Sequence, residues 1–146
     1  MGAKVLMAIV GLLGLYSLFT VREYFARVIL AVMVLAIGLT FLGDRAIESG
    51  FWLYCVSLVL VMVYALLKRG LGTNKRILIL LMAIPVFLTK LFMINHWPYV
   101  STLALCCIIT LVCFIACIVK VRNYKNEIGF LTIIAADAIV NLLTAV

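Results

Sequence analysis

The chain has 146 residues, of which 68% are hydrophobic and 12% charged, with a mean hydropathy of +1.37. A soluble globular domain is nearer half apolar and a quarter charged, so this composition excludes an ordinary water-soluble enzyme or binding module. The formal net charge of +7 does not indicate nucleic acid, because Lys and Arg cluster beside apolar runs and leave no solvated basic face to follow a phosphate backbone.

Six apolar runs of helical length follow one another at about 3–21, 26–43, 51–67, 77–94, 101–119 and 128–146. A bilayer core of about 30 Å needs roughly twenty residues of helix, and only helices satisfy their own backbone within lipid. The expected fold is therefore all-α, a single polytopic domain over 1–146 built as a bundle of six transmembrane helices. Run one carries Lys4 as its lone charge, and Gly14-Leu15-Tyr16 offers no clear cleavage site, so it reads as a retained helix. Run three is short for a span and gains length from Phe51 and Lys68 at its flanks. The stretch Gly70-Leu71-Gly72-Thr73-Asn74 reads as a tight, flexible turn dividing the chain into two halves of three helices. Leu6-Met7-Ala8-Ile9 recurs as Leu81-Met82-Ala83-Ile84, a short match of the kind an inverted repeat would leave.

Charge alternates from loop to loop. Arg22, Glu23 and Arg27 separate runs one and two; Lys68, Arg69, Lys75 and Arg76 separate three and four; Lys120, Arg122, Lys125 and Glu127 separate five and six. The other loops hold Asp44, Arg45 and Glu48, and then Asn95 to Tyr99 with no full charge. By the positive-inside rule the basic loops are expected in the cytoplasm and both termini outside. Trp52, Tyr54, Trp97 and Tyr99 at one level, with Tyr24 and Tyr124 at the other, read as the aromatic belts of the two interfaces.

Two charges fall well inside the runs, away from their first residues. Asp137 lies near the middle of run six, with Asn141 one helical turn on and on the same face. A charge at mid-bilayer costs roughly 2.5–3.5 kcal/mol, so Asp137 must be paired, protonated or faced by water. Lys90 in run four is the natural partner. Runs four and six travel in the same direction, and their cytoplasmic ends put the two residues about 6 Å apart in depth, within lysine's reach. Lys90 could equally snorkel to the headgroups about four residues beyond it. Pro85 removes a helical hydrogen bond from run four and predicts a kink there.

Of five cysteines, Cys55 lies in run three and Cys106, Cys107, Cys113 and Cys117 in run five. Cys106, Thr110, Cys113 and Cys117 share one face, a small-residue stripe against which another helix can pack, as Gly11, Gly14 and Gly38 can elsewhere. Neither disulfides nor a metal site is expected, since most thiols share one helix and the single histidine, His96, sits at a run boundary. No cofactor is implied. The sequence holds no nucleophile elbow, zinc-protease motif, phosphate-cradling glycine loop or second intramembrane aspartate, so no enzymatic role is expected.

Phe92-Met93-Ile94-Asn95-His96-Trp97-Pro98 resembles a short motif of the gliding-motility and type IX secretion stator membrane family, and of related uncharacterised small bacterial membrane proteins. Phe92, Ile94, His96, Trp97 and Pro98 match it. Met93 stands where that family has lysine, and Tyr99 where it has glycine. Run five lacks the acid of the family's second helix, and the family's long cytoplasmic tail has no counterpart. The resemblance implies a bacterial inner-membrane origin. By its own residues, His96-Trp97-Pro98 reads as an interfacial turn.

Two functions follow as expectations. With no separate aqueous domain, helix faces are the main surface for interaction. The first expectation is thus a non-enzymatic accessory or scaffold subunit, held to membrane-protein partners or to copies of itself within the lipid bilayer. The alternative is a small ion- or proton-coupled transporter or channel subunit that uses Asp137 with Lys90.

Overall fold

Loops of three to eight residues leave consecutive helices little choice but to pack side by side as antiparallel hairpins. The computed structural model describes residues 2–42 and 44–145, with side chains over 5–42 and 46–144. Within it the chain forms α1 (Gly2–Thr20), α2 (Tyr24–Leu39), α3 (Asp44–Leu67), α4 (Thr73–Ile94), α5 (Val100–Val119) and α6 (Ile128–Ala145). A 3-10 turn at Val121–Tyr124 precedes α6. The side chains of Lys4, Asp44 and Arg45, charges that the sequence reading places at the weakly basic end, lie outside those described.

The all-α expectation holds. Ala46–Leu67, Thr73–Ile94 and Val100–Val119 are long and apolar enough to cross a membrane, and Val5–Thr20, Tyr24–Leu39 and Ile128–Thr144 are shorter apolar helices. Apolar side chains also cover the outside, among them Leu12, Phe19, Leu105, Val112 and Ile115, all more than half exposed. A water-soluble monomer rarely tolerates contiguous apolar surface on that scale, which fits the chain for membrane association.

Three boundaries differ by four residues or more from the sequence reading, the first being the end of α2 at Leu39 rather than 43. The third helix begins at Asp44 rather than 51, so Glu48 is helical and the supposedly short run spans 24 residues. The fourth helix begins at Thr73 rather than 77, leaving only Lys68–Gly72 as the turn. Gly70 there has φ +96°, a conformation that glycine adopts without a steric penalty.

The helices form a closed ring in chain order, α6 returning to α1, and α6 also packs against α2 and α4. It is therefore the central element. From Phe130 to Ala138 every residue is buried except Thr132, which is partly exposed. The position equivalent to α6 in an inverted repeat is α3, which packs chiefly against α2 and α4 at the periphery. The two halves thus do not play equivalent parts in the packing.

Glycines set the closest approaches. A Cβ at Gly14 would lie 2.9 Å from Val34 and 3.0 Å from Ile133, and one at Gly129 would lie 2.9 Å from Ser17. At Gly50 it would meet the Ala36 carbonyl oxygen at 2.9 Å, a backbone atom that cannot step aside. Gly11 makes a looser contact of 3.3 Å with Ile37, whereas Gly38 faces open space and is not a packing position. The buried face of α5 runs through Ala104, Cys107, Thr110 and Cys117, while Cys106 is exposed. The small-residue stripe is thus real but passes through Cys107, and it is spent against helices of the same chain.

Candidate functional site

Lys90 and Asp137 meet where α4 and α6 pack together. Lys90 Nζ lies 2.9 Å from Asp137 Oδ1, with the two residues only 4% and 2% exposed. Lysine therefore folds inward to the acid and does not snorkel. Its ammonium also sits 5.2 Å from the centre of the Phe51 ring, whose electron-rich face favours a cation. Asn141, buried one turn along α6, donates from Nδ2 to Asp137 Oδ2 at 3.4 Å. The carboxylate thus has a different donor on each oxygen.

Tyr54 is the side chain that sequence reasoning misplaced. An interfacial position was expected, but Tyr54 is buried and lines a cavity of about 30 Å³ together with Asp137, Lys90, Thr40 and Phe51. Its Oη and Asn141 Oδ1 are buried polar atoms with no hydrogen-bond partner among the described residues. Unmatched polar groups in a core are costly, and their concentration beside one ion pair singles out this region.

The pair also has a way out. A cleft of about 270 Å³ is lined by Lys90, Asp137 and Asn141 in its depth and by Thr40, Phe41 and Thr144 at the exposed ends of α2 and α6. On the other side of Lys90, the Thr89 hydroxyl donates to the Pro85 carbonyl at 2.9 Å and lies 3.7 Å from Cys107 Sγ. Thr110 donates across from α5 to the Met82 carbonyl at 3.1 Å, one residue past the carbonyl that Pro85 leaves without its helical donor. The α4 backbone near the proline is thereby held by α5.

A second polar cluster sits at the basic end, built from residues that the sequence reading left as loop charges. The Tyr64 phenol lies 3.0 Å from both Glu23 Oε2 and Glu127 Oε1. Lys68 pairs with Glu23, donates to Tyr64 Oη at 2.7 Å and lies 3.6 Å from Glu127 Oε1. One phenol hydrogen serves one carboxylate at a time, so the three ammonium hydrogens of Lys68 hold the cluster together. Glu127 is buried, and the Tyr64 ring packs edge-on against Phe130. The available signal was Tyr64 and Lys68 one turn apart at the end of run three, with a single acid in each neighbouring basic loop. Two further basic residues close helix ends: Arg27 donates to the Val21 carbonyl at 2.6 Å and Arg76 to the Lys68 carbonyl at 2.9 Å. Tyr124, another expected belt residue, is buried under Lys75, and that burial pushes its phenol above the ordinary range.

His96, Trp97 and Pro98 are exposed and do not line the cavities beside Lys90 and Asp137. They stop α4. Trp97 N–H donates to the Phe92 carbonyl at 3.0 Å, His96 N–H to the Met93 carbonyl at 3.2 Å, and His96 takes the left-handed conformation at φ 52°. Phe92 and Trp97 stack edge-to-face at 4.9 Å. These are the two hydrogen bonds and the hydrophobic contact of a Schellman cap, with histidine where glycine is usual and a proline following. The spacing of Phe92, His96, Trp97 and Pro98 is thus accounted for by helix termination. His96→Gly should stabilise the protein by about 0.5–1 kcal/mol, as it removes the left-handed penalty. A thermal unfolding series in detergent checks this, and a lower midpoint would show that the imidazole has work elsewhere.

Among the described residues, no three His, Cys, Asp or Glu side chains converge as metal ligands. No family model matches the chain, and no characterised protein or solved structure matches it either.

Proposed function

We propose that this chain is a six-span membrane protein that moves protons or a small ion, with Lys90 and Asp137 as the switching pair. Carrying the proposal is one observation: the buried 2.9 Å ion pair lies at the floor of a cleft that reaches one end of the bundle. The three long apolar helices support the spanning topology, as do the three shorter ones packed antiparallel among them. Nine Lys and Arg residues flank one end, so the basic loops face the cytoplasm and both termini lie outside. The resemblance at Phe92–Pro98 favours a bacterial inner membrane.

Ionisable residues at membrane depth are expensive and concentrate along ion and proton paths. Here the pair neutralises itself at rest. Protonating Asp137, or placing a small cation beside it, would release Lys90 toward the cleft, and the unpaired Tyr54 Oη and Asn141 Oδ1 would hydrogen-bond water entering there. Glu127, just before α6, and Asp137, near its middle, lie ten residues apart, about 15 Å along the helix axis, so two ionisable stations follow one another along it. Asp137→Asn keeps hydrogen bonding but removes titration. Reconstituted in vesicles with a pH gradient, the wild type should dissipate it and the variant should lose about tenfold or more of that rate. Equal rates would sink the transport reading.

The accessory-subunit reading keeps one observation in its favour. Between the two ionic clusters α6 contributes the fully buried apolar side chains Phe130, Leu131 and Ile134. Against it, Asp137, Asn141 and the small-residue face of α5 are consumed inside the chain and are not free for a partner. Stoichiometric co-purification with other membrane proteins, together with unchanged flux in Asp137→Asn, would favour that reading.

A further inference from the structure

The basic end of the bundle carries a larger cavity, of about 560 Å³, that the transport reading does not use. Its wall takes Arg22 from the α1–α2 loop, Lys68 and Lys75 from either side of the α3–α4 turn, and Arg122 and Lys125 from the segment before α6. Glu127 is the one acid in the wall. Glu127 and Lys68 are already committed to each other and to Tyr64. Arg22, Lys75, Arg122 and Lys125 have no carboxylate within 4.0 Å among the described residues. Lys75 bonds the Asn123 carbonyl and lies 5.1 Å from the Tyr124 ring centre, which holds its ammonium in place.

Four uncompensated cations, from the α1–α2 loop, the first turn of α4 and the α5–α6 segment, therefore line one concave, polar space. Such an arrangement repels itself and is relieved by an anion with several acceptor oxygens, which arginine forks and lysine ammoniums fit well. A second cavity says which kind of anion. Lys68 also lines an apolar groove of about 430 Å³ between α2 and α3, walled by Val28, Leu60, Val63 and Leu67. These side chains are all at least partly exposed on the outside of the bundle. A phosphate cradle that shares a lysine with a groove of acyl-chain character has the outline of a phospholipid.

We propose that this end of the bundle binds an anionic glycerophospholipid, with its phosphate among Arg22, Lys75, Arg122 and Lys125 and one acyl chain along the α2–α3 groove. The proposal rests on the reading that the chain lies in a membrane. Lys68 would mark the boundary between headgroup and chain, where its bonds to Glu23 and Tyr64 already fix it.

The test uses the full chain in vesicles of phosphatidylcholine, alone or mixed with phosphatidylglycerol, carrying a trace of spin-labelled phosphatidylglycerol or phosphatidylcholine. The protein-bound fraction of each label is read by electron paramagnetic resonance. The labelled anionic lipid should be preferred, and each cation removed should weaken the preference about fivefold. Arg122→Gln with Lys125→Gln changes two exposed residues and should lower it without loss of fold. Val63→Trp should reduce binding by filling the groove, and inorganic phosphate should compete poorly. Equal binding of both labels would overturn the proposal, as would indifference to Arg122→Gln with Lys125→Gln. Full displacement by inorganic phosphate, with Val63→Trp silent, would assign the cradle to a soluble phosphate compound and overturn the lipid assignment. Failure of the protein to float with the vesicles would overturn the membrane reading along with it, so the two failures are distinguishable.

Discussion

Removing either charge of the Lys90–Asp137 pair alone should cost about 3–5 kcal/mol of stability, whereas removing both together should cost little. The reason lies in the site. Asp137→Ala leaves a buried ammonium with only the Phe51 ring beside it, and Lys90→Ala leaves a buried carboxylate with only the Asn141 amide. Lys90→Met with Asp137→Leu replaces both by apolar groups of similar length and branching, leaving the Asn141 amide as the one partner of the pair without its acceptor. Desolvating two ions offsets most of their attraction, so the double replacement should come near the wild type or exceed it. Unfolding midpoints in detergent for all four proteins form a double-mutant cycle. A strictly additive result would mean that the two side chains do not sense each other.

The second large effect is expected at Glu127. Glu127→Ala should cost about 2–3 kcal/mol, because a buried, charge-assisted acceptor for the Tyr64 phenol disappears from the basic end of the bundle. Glu127→Gln keeps an acceptor at the same place and should recover more than half of that loss. Lys68 remains neutralised by Glu23 in either variant, which is why the loss stays below that of an orphaned charge. Equal destabilisation by Ala and Gln would show that the negative charge, not the hydrogen bond, supports the cluster.

The helices, and the match in depth between Lys90 and Asp137, could be read from the sequence for a simple reason, although snorkelling of Lys90 fitted it equally. Helical rise is fixed at 1.5 Å per residue, so depth along parallel runs follows from counting, and Lys90 and Asp137 could be matched on paper. The central place of α6 could not be read. In a chain this apolar, a side chain facing lipid and one facing protein look alike, and Phe130 or Ile134 carries no mark distinguishing it from Leu105 or Ile108. Tyr54 and Tyr124 were misread on the same ground, since an aromatic near a run end suits either an interface or a core. Glu23 and Glu127 were missed because a charge in a loop looks the same whether it faces water or is drawn in by a phenol two helices away. The motif at Phe92–Pro98 drew notice for its histidine and tryptophan, yet its spacing encodes a helix cap.

The measurement that bears most directly on the transport proposal is the proton flux of the Lys90→Met, Asp137→Leu double variant in vesicles, beside the wild type. Its fold should be intact by the thermodynamic argument above, so a loss of flux could not be blamed on unfolding. The account predicts a stable protein whose pH gradient persists as in protein-free vesicles. A stable double variant that still dissipates the gradient at the wild-type rate would contradict it.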